Sequence, residues 1–276
     1  MIAMLSSDRL AFYVLVSLLT MHQCVFAQES NVWAVGDAVH LDTAVPLYTE
    51  THCVDGYGPA SDVLYRGMNQ VLLAHKVLDY SSGPLTPSFV QQNFYSQEVI
   101  AVKLEDDQLN MVVTEAGDAD PENSVVPVSQ ASIPLVIDAG FDTFIIENWD
   151  GLVGGTSKKF QFPFAARKSL LTLRINAARC SYDSDKDQCF SLKIDNWLIS
   201  MLVAPIELGY DPTLKRLTRF RGLSNIGDAN GQGQSVDIRY RYEDIATSAC
   251  RWDDKKSPED ILGKQVTALK SRDGSL

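Results

Sequence analysis

Val236-Asp237-Ile238-Arg239-Tyr240-Arg241-Tyr242 alternates apolar and charged side chains without a break. A strand sends successive side chains to opposite faces, so this stretch has a buried face of Val236, Ile238 and Tyr240 and a solvent face of Asp237, Arg239 and Arg241. The same two-residue period recurs in Phe190-Ser191-Leu192-Lys193-Ile194-Asp195 and in Leu171-Thr172-Leu173-Arg174-Ile175. Ile100–Leu104 and Leu109–Val113 flank Glu105-Asp106-Asp107-Gln108, which predicts a hairpin. Asn230-Gly231 lies between Leu217–Ile226 and Ser235–Tyr242 and supplies the positive φ angles of a second turn. The chain therefore reads as mainly β.

One stretch breaks the pattern. Phe141, Phe144, Ile145, Trp149 and Leu152 follow helical spacing, with Asp138 as a cap before Ala139 and Gly154-Gly155 as a stop. This predicts a central amphipathic helix over 139–153 whose aromatic face is buried against the sheet. Residues 116–132 are polar and proline-containing and read as a loop. The tail 253–276 is polar, with room for a short helix after Ser257-Pro258. The expected organisation is a leader (1–27), a single β-rich domain (28–252) and that tail.

The leader rests on the apolar run Leu10–Met21, which is shorter than the ~20 residues of a membrane helix. Val25-Phe26-Ala27 follows with small residues at the signal-peptidase positions, so cleavage before Gln28 is expected. An uncleaved anchor is the competing reading. After cleavage no segment is apolar enough to span a membrane. Export predicts a periplasmic or secreted protein. Cys53, Cys180, Cys189 and Cys250 would remain after cleavage, an even set that reads as disulfides in an oxidising compartment. The short polar interval between Cys180 and Cys189 favours pairing these two, leaving Cys53 with Cys250.

The formal net charge is −11. An acidic surface is wrong for nucleic acid and for anionic lipid, both of which need a basic one. No nucleophile elbow, phosphate loop or dinucleotide fingerprint occurs, so no catalytic residue and no cofactor is assigned. Asp183, Asp185 and Asp187 alternate as in a calcium loop. Gln188 and Ile194 stand where that loop needs glycine and glutamate, and the segment reads as a solvated hairpin tip. The remaining histidines, His40, His52 and His75, lack metal-motif spacing.

Two groups stand out as ligand-binding candidates. Phe141, Phe144 and Trp149 form the aromatic helix face, which serves as core or as a cavity wall. Arg219, Arg221, Arg239 and Arg241 (with Lys215 and Arg216 close by) concentrate positive charge on two neighbouring strands. Like charges facing across a strand pair repel, so acidic neighbours or an anionic ligand should neutralise them.

Asp138-Ala-Gly-Phe-Asp-Thr-Phe, Asn148-Trp-Asp-Gly-Leu-Val-Gly-Gly and Arg219-Phe-Arg-Gly-Leu-Ser-Asn-Ile together resemble a group of uncharacterised exported proteins of Gram-negative bacteria, over about residues 130–245. Their general shape is similar to the half-barrels of Lol-type lipoprotein carriers. The resemblance implies a strongly curved antiparallel sheet or partial β-barrel packed on the helix, and it implies no catalytic motif. The leading expectation is a periplasmic carrier of an apolar or amphipathic, lipid-like ligand, its tail between sheet and helix and an anionic head near the arginines. The alternative is an envelope structural or accessory protein that binds a protein partner through a sheet face. An envelope hydrolase is a third reading without a motif to carry it.

Overall fold

The alternating stretches fold into fourteen strands of one antiparallel sheet in the computed structural model, which describes residues 31–54, 59–115, 122–128, 133–196, 203–228, 232–242 and 247–250. The leader, the Asn230-Gly231 turn and the tail lie outside the described residues. The first half of the chain supplies β1 (Asn31–His40), β2 (Pro46–Val54), β3 (Ala60–Gly67), β4 (Leu72–Asp79), β5 (Ser88–Asn93), β6 (Glu98–Glu105), β7 (Gln108–Thr114) and β8 (Glu122–Pro127). Helices α1 (Gly140–Glu147) and α2 (Trp149–Val153) follow. The second half supplies β9 (Lys158–Phe164), β10 (Ser169–Ala178), β11 (Gln188–Ile194), β12 (Ile206–Asp211), β13 (Arg216–Gly227) and β14 (Gly233–Arg241).

Each half is a meander, and β1 pairs with β14 to join them, so the order runs β8 to β1 and then β14 to β9. The sheet is not closed into a barrel: β8 and β9 are its two ends. It is nevertheless strongly curled. Gln91 on β5 donates to the Asn225 carbonyl on β13 at 3.1 Å. Those strands are six places apart, which in a flat sheet would separate them by roughly 29 Å.

Curling demands close approach on the inner face. At Gly36 on β1, an added Cβ would come within 2.7–2.9 Å of Ile238, Glu50 and Tyr240. Only glycine leaves room there. The β9 end is extended by the segment before α1: Val136 donates to the Gln161 carbonyl (2.9 Å) and Gln161 donates back to Pro134 (2.8 Å). Leu135 and Ile137 then pack with Val102, Leu109 and Met111 of β6 and β7, so this segment helps fill the space between the two ends of the sheet.

Two expectations need correction. The predicted single helix is two short ones. The Asn148 side chain donates to the Phe144 carbonyl (2.8 Å), a local bond that competes with helix continuation and ends α1. Asp138 makes no capping bond. It adopts a positive φ of 42°, and its carboxylate is bound by Lys76 instead. Residues 116–132 also contain β8, an edge strand with one neighbour. Its polar, proline-ended sequence suits an edge, where a single ladder must be satisfied.

The two disulfides are Cys53–Cys250 and Cys180–Cys189, as expected from the spacing. The β6–β7 turn is also as expected, tightened to Asp106-Asp107 with φ of 48° and 61°. Among the described residues, no helix is long and apolar enough to cross a membrane.

Candidate functional site

The sheet separates the two predicted groups. Phe220, Ile238 and Tyr240 point inward, so the arginines between them lie on the outer face. There they are largely neutralised by acids of the same sheet. Arg219 binds Asp237 through Nε (2.7 Å) and Nη2 (2.5 Å), a bidentate pair that raises the guanidinium pKa. Arg221 Nη1 lies 3.3 Å from Glu207 and its Nε 3.3 Å from Asp237. Arg241 reaches Asp37 at 3.2 Å. Arg239 lies directly opposite Arg219 and is exposed.

The Cys180–Cys189 loop covers this network. Its Tyr182 ring stacks 3.9 Å from the Arg219 guanidinium, and the Ser181 amide donates to Glu207 at 2.6 Å. Asp187 of the calcium-like run accepts the Tyr182 hydroxyl at 2.8 Å. Burial raises the Tyr182 pKa, helped by that same bond. Cys180, Cys189 and Glu207 cluster closely enough to suggest a metal site, but the two sulfurs are bonded to each other and have no thiolate to offer.

The helix aromatics lie on the other side of the sheet. Phe144 and Trp149 are buried, with ring centroids 4.8 Å from Phe160 and 5.3 Å from Phe190 respectively. Phe141 is partly buried at the margin of this cluster. The space between helix and sheet is thus packed with side chains, and it does not meet the arginines.

The inner face carries a polar network that alternation alone does not reveal. Glu50 is 5% exposed, accepts the Tyr240 hydroxyl at 2.5 Å and lies 3.1 Å from His52 Nε2. Tyr48 and Ser224 share a hydrogen bond of 2.7 Å. Burial pushes the Tyr48, Tyr65, Tyr210 and Tyr240 hydroxyls well above their ordinary pKa, so they stay neutral donors. Lys76 on β4, 4% exposed, reaches Asp138 at 2.5 and 2.9 Å.

Asp142 on α1 accepts the Tyr210 hydroxyl at 2.8 Å, and burial raises its pKa above the usual carboxylate value. A carboxyl raised in the folded state binds protons more tightly there than in the unfolded chain. Its stabilising contribution is therefore complete below the unfolded value and is lost as pH rises through the folded one. Asp142→Asn keeps an acceptor for Tyr210 and removes the buried charge. We expect that variant to be at least as stable as the parent at pH 7 and to lose part of the pH dependence on the acid side. Thermal melts from pH 3 to 7 check this; a variant clearly less stable at pH 7 would contradict it.

One cleft opens at the end of the sheet where the β1–β2, β3–β4, β5–β6 and β13–β14 connections lie. It encloses about 250 Å³. Leu47, Leu73 and Ile226 form its apolar part, with Tyr48 and Tyr95 beside them. Asn93, Ser96, Gln234 and Asp228 supply polar groups, and among the described residues no lysine or arginine lines it. The Phe94 amide donates to the Leu73 carbonyl (2.9 Å), which fixes the β5–β6 turn against β4. These residues come from four separate stretches, so no local motif announces them.

No family model and no curated protein matches the chain. Among solved structures, it is similar to a β-barrel-like protein of a domain of unknown function (DUF1849) from Brucella abortus. The TM-score is 0.46 at 9% identity, covering 79% of this chain and 100% of that one.

Proposed function

We propose that the protein is an exported binding protein that holds a neutral or cationic amphipathic ligand in the cleft between the hairpin turns. The cleft's lining carries the reading: it combines apolar Leu47, Leu73 and Ile226 with polar Asn93, Ser96 and Gln234, and the charged residue among its described members is Asp228. Ligand sites combine apolar walls with a few polar groups in this way. Among the described lining residues an anionic head would meet no lysine or arginine, so the arginine-bound anion is not part of this proposal. Arg219, Arg221 and Arg241 already have Asp237, Glu207 and Asp37 as partners.

The volume limits the ligand. Pockets that hold whole drug-sized ligands measure roughly 300–1,000 Å³, so about 250 Å³ accommodates a small molecule or one end of a larger one. Two disulfides fit an oxidising compartment. The leader with cleavage before Gln28 belongs to the same proposal.

The test is a titration with N-phenyl-1-naphthylamine, an uncharged probe that fluoresces in apolar surroundings. Saturable binding is expected, with displacement by dodecylamine and little by dodecanoate. Ser96→Trp, on the β5–β6 turn, fills the cleft from its rim and should weaken probe binding at least tenfold. Unchanged affinity in Ser96→Trp would overturn the cleft as the site, and preferential displacement by dodecanoate would overturn the charge assignment.

A further inference from the structure

We infer that the rim around this cleft is a docking surface for a neutral, zwitterionic lipid layer, from which the cleft takes its ligand; the inference rests on the cleft reading above. Three of the hairpin connections at this end of the sheet, those beside the cleft, each present an apolar side chain to solvent. Val45 on β1–β2 is 54% exposed, Met68 and Val71 on β3–β4 are 61% and 56%, and Tyr95 on β5–β6 is 65%. These side chains lie at the tips of turns, where the strand pairs place polar and turn-forming residues in most proteins.

The charge pattern selects the partner. A chain with 21% charged residues has none in the turns 68–71 (Met-Asn-Gln-Val) and 94–97 (Phe-Tyr-Ser-Gln). Those tips can leave water without stranding a charge, and tyrosine suits the boundary between headgroups and chains. The acids beside the rim, Asp42 on the β1–β2 turn, Asp228 after β13 and Glu98, which follows the 94–97 turn and accepts from Asn93 at 2.8 Å, repel an anionic surface. A zwitterionic layer meets neither obstacle.

Shape argues in the same direction. The tips are separate projections around a concavity, because adjacent hairpins are two strands, about 10 Å, apart. A rigid protein partner would need a matching knob and a contiguous patch of roughly 800 Å². A fluid lipid layer receives isolated tips individually, and an amphiphile leaving it would enter the cleft between them.

The experiment is co-sedimentation of the mature chain with phosphatidylcholine vesicles, alongside vesicles enriched in phosphatidylglycerol. The parent should bind phosphatidylcholine, with an affinity insensitive to salt, and should bind the anionic vesicles more weakly. Met68→Glu/Val71→Glu changes two exposed side chains of one tip, the β3–β4 turn, neither of which lines the cleft. It should lose vesicle binding at least tenfold and bind N-phenyl-1-naphthylamine as the parent does. Failure of the parent to sediment, or equal sedimentation of the variant, would overturn the lipid rim while leaving probe binding to judge the cleft separately. Tighter, salt-sensitive binding to anionic vesicles would also overturn it.

Discussion

Cys53→Ala/Cys250→Ala is expected to lower the free energy of unfolding by about 5 kcal/mol, twice the roughly 2.5 kcal/mol expected for Cys180→Ala/Cys189→Ala. The difference follows from loop length. The first bridge closes a separation of 197 residues and the second one of 9. On the chain-entropy account, the longer loop takes more freedom from the unfolded chain. The first bridge also fixes the short 3-10 turn Thr247–Cys250 to β2, beside a bond from the Arg66 guanidinium to the Ala249 carbonyl (3.0 Å). Domains of this kind retain about 5–15 kcal/mol in all, so the loss is a large share of stability. Guanidinium unfolding of the two double variants under non-reducing conditions provides the comparison. Equal losses, or the larger loss at Cys180–Cys189, would exclude loop entropy as the dominant contribution.

Strands with one apolar and one polar face were legible from alternation. In β14, β11 and β10 the period assigns inward Val236, Ile238, Phe190, Leu192, Leu173 and Ile175, which are buried, and Tyr240, Ile194 and Leu171, which are partly buried. Asp237, assigned to solvent, is buried instead because Arg219 and Arg221 close over it. β2 escapes that reading because its inner face is itself polar. Tyr48, Glu50 and His52 point into the curl, while Thr49, Thr51 and Cys53 occupy the other side. Period-two hydrophobicity vanishes when the inward residues bond to one another. β4 escapes for a related reason: His75 and Lys76 are both buried, each bound to a carboxylate on another element. The arginine cluster was visible as a charge problem, and the sequence already contained one answer, since Asp237 sits two residues from Arg239. What it could not show is that Arg221 pairs with Asp237 in register and that Glu207 comes from β12. The cleft was invisible because strand order, rather than sequence proximity, assembles it. Sequence patterns report which face of an element is buried. They do not report which distant elements share that face.

Lys76→Met should cost about 3–5 kcal/mol, because removing one partner of a buried ion pair strands the other charge. The pair does more than join two side chains. Asp138 is the residue at which the chain leaves β9's neighbouring segment and turns into α1, and its backbone takes a positive φ there. Two further contacts hold the same corner. Ile137 donates to the Leu85 carbonyl at 2.9 Å, and a Cβ on Gly140 would lie 2.1 Å from that oxygen, so only glycine passes. Lys76 thus anchors the corner from β4 and sets where α1 and α2 place Phe144 and Trp149. Methionine keeps the aliphatic stem over the Phe89 ring, where the ammonium lies 5.4 Å from the centroid, and deletes the charge. Adding Asp138→Asn removes the stranded carboxylate while retaining a residue that tolerates positive φ. The double variant should therefore recover part of the loss, giving a coupling energy well above the ~0.5 kcal/mol of independent sites. Near-ultraviolet circular dichroism would follow the Trp149 environment in each variant and report whether the helices stay docked. A Lys76→Met cost below about 1 kcal/mol, or purely additive effects, would mean that the corner is held by Leu85 and Gly140 alone, with the ion pair as a bystander.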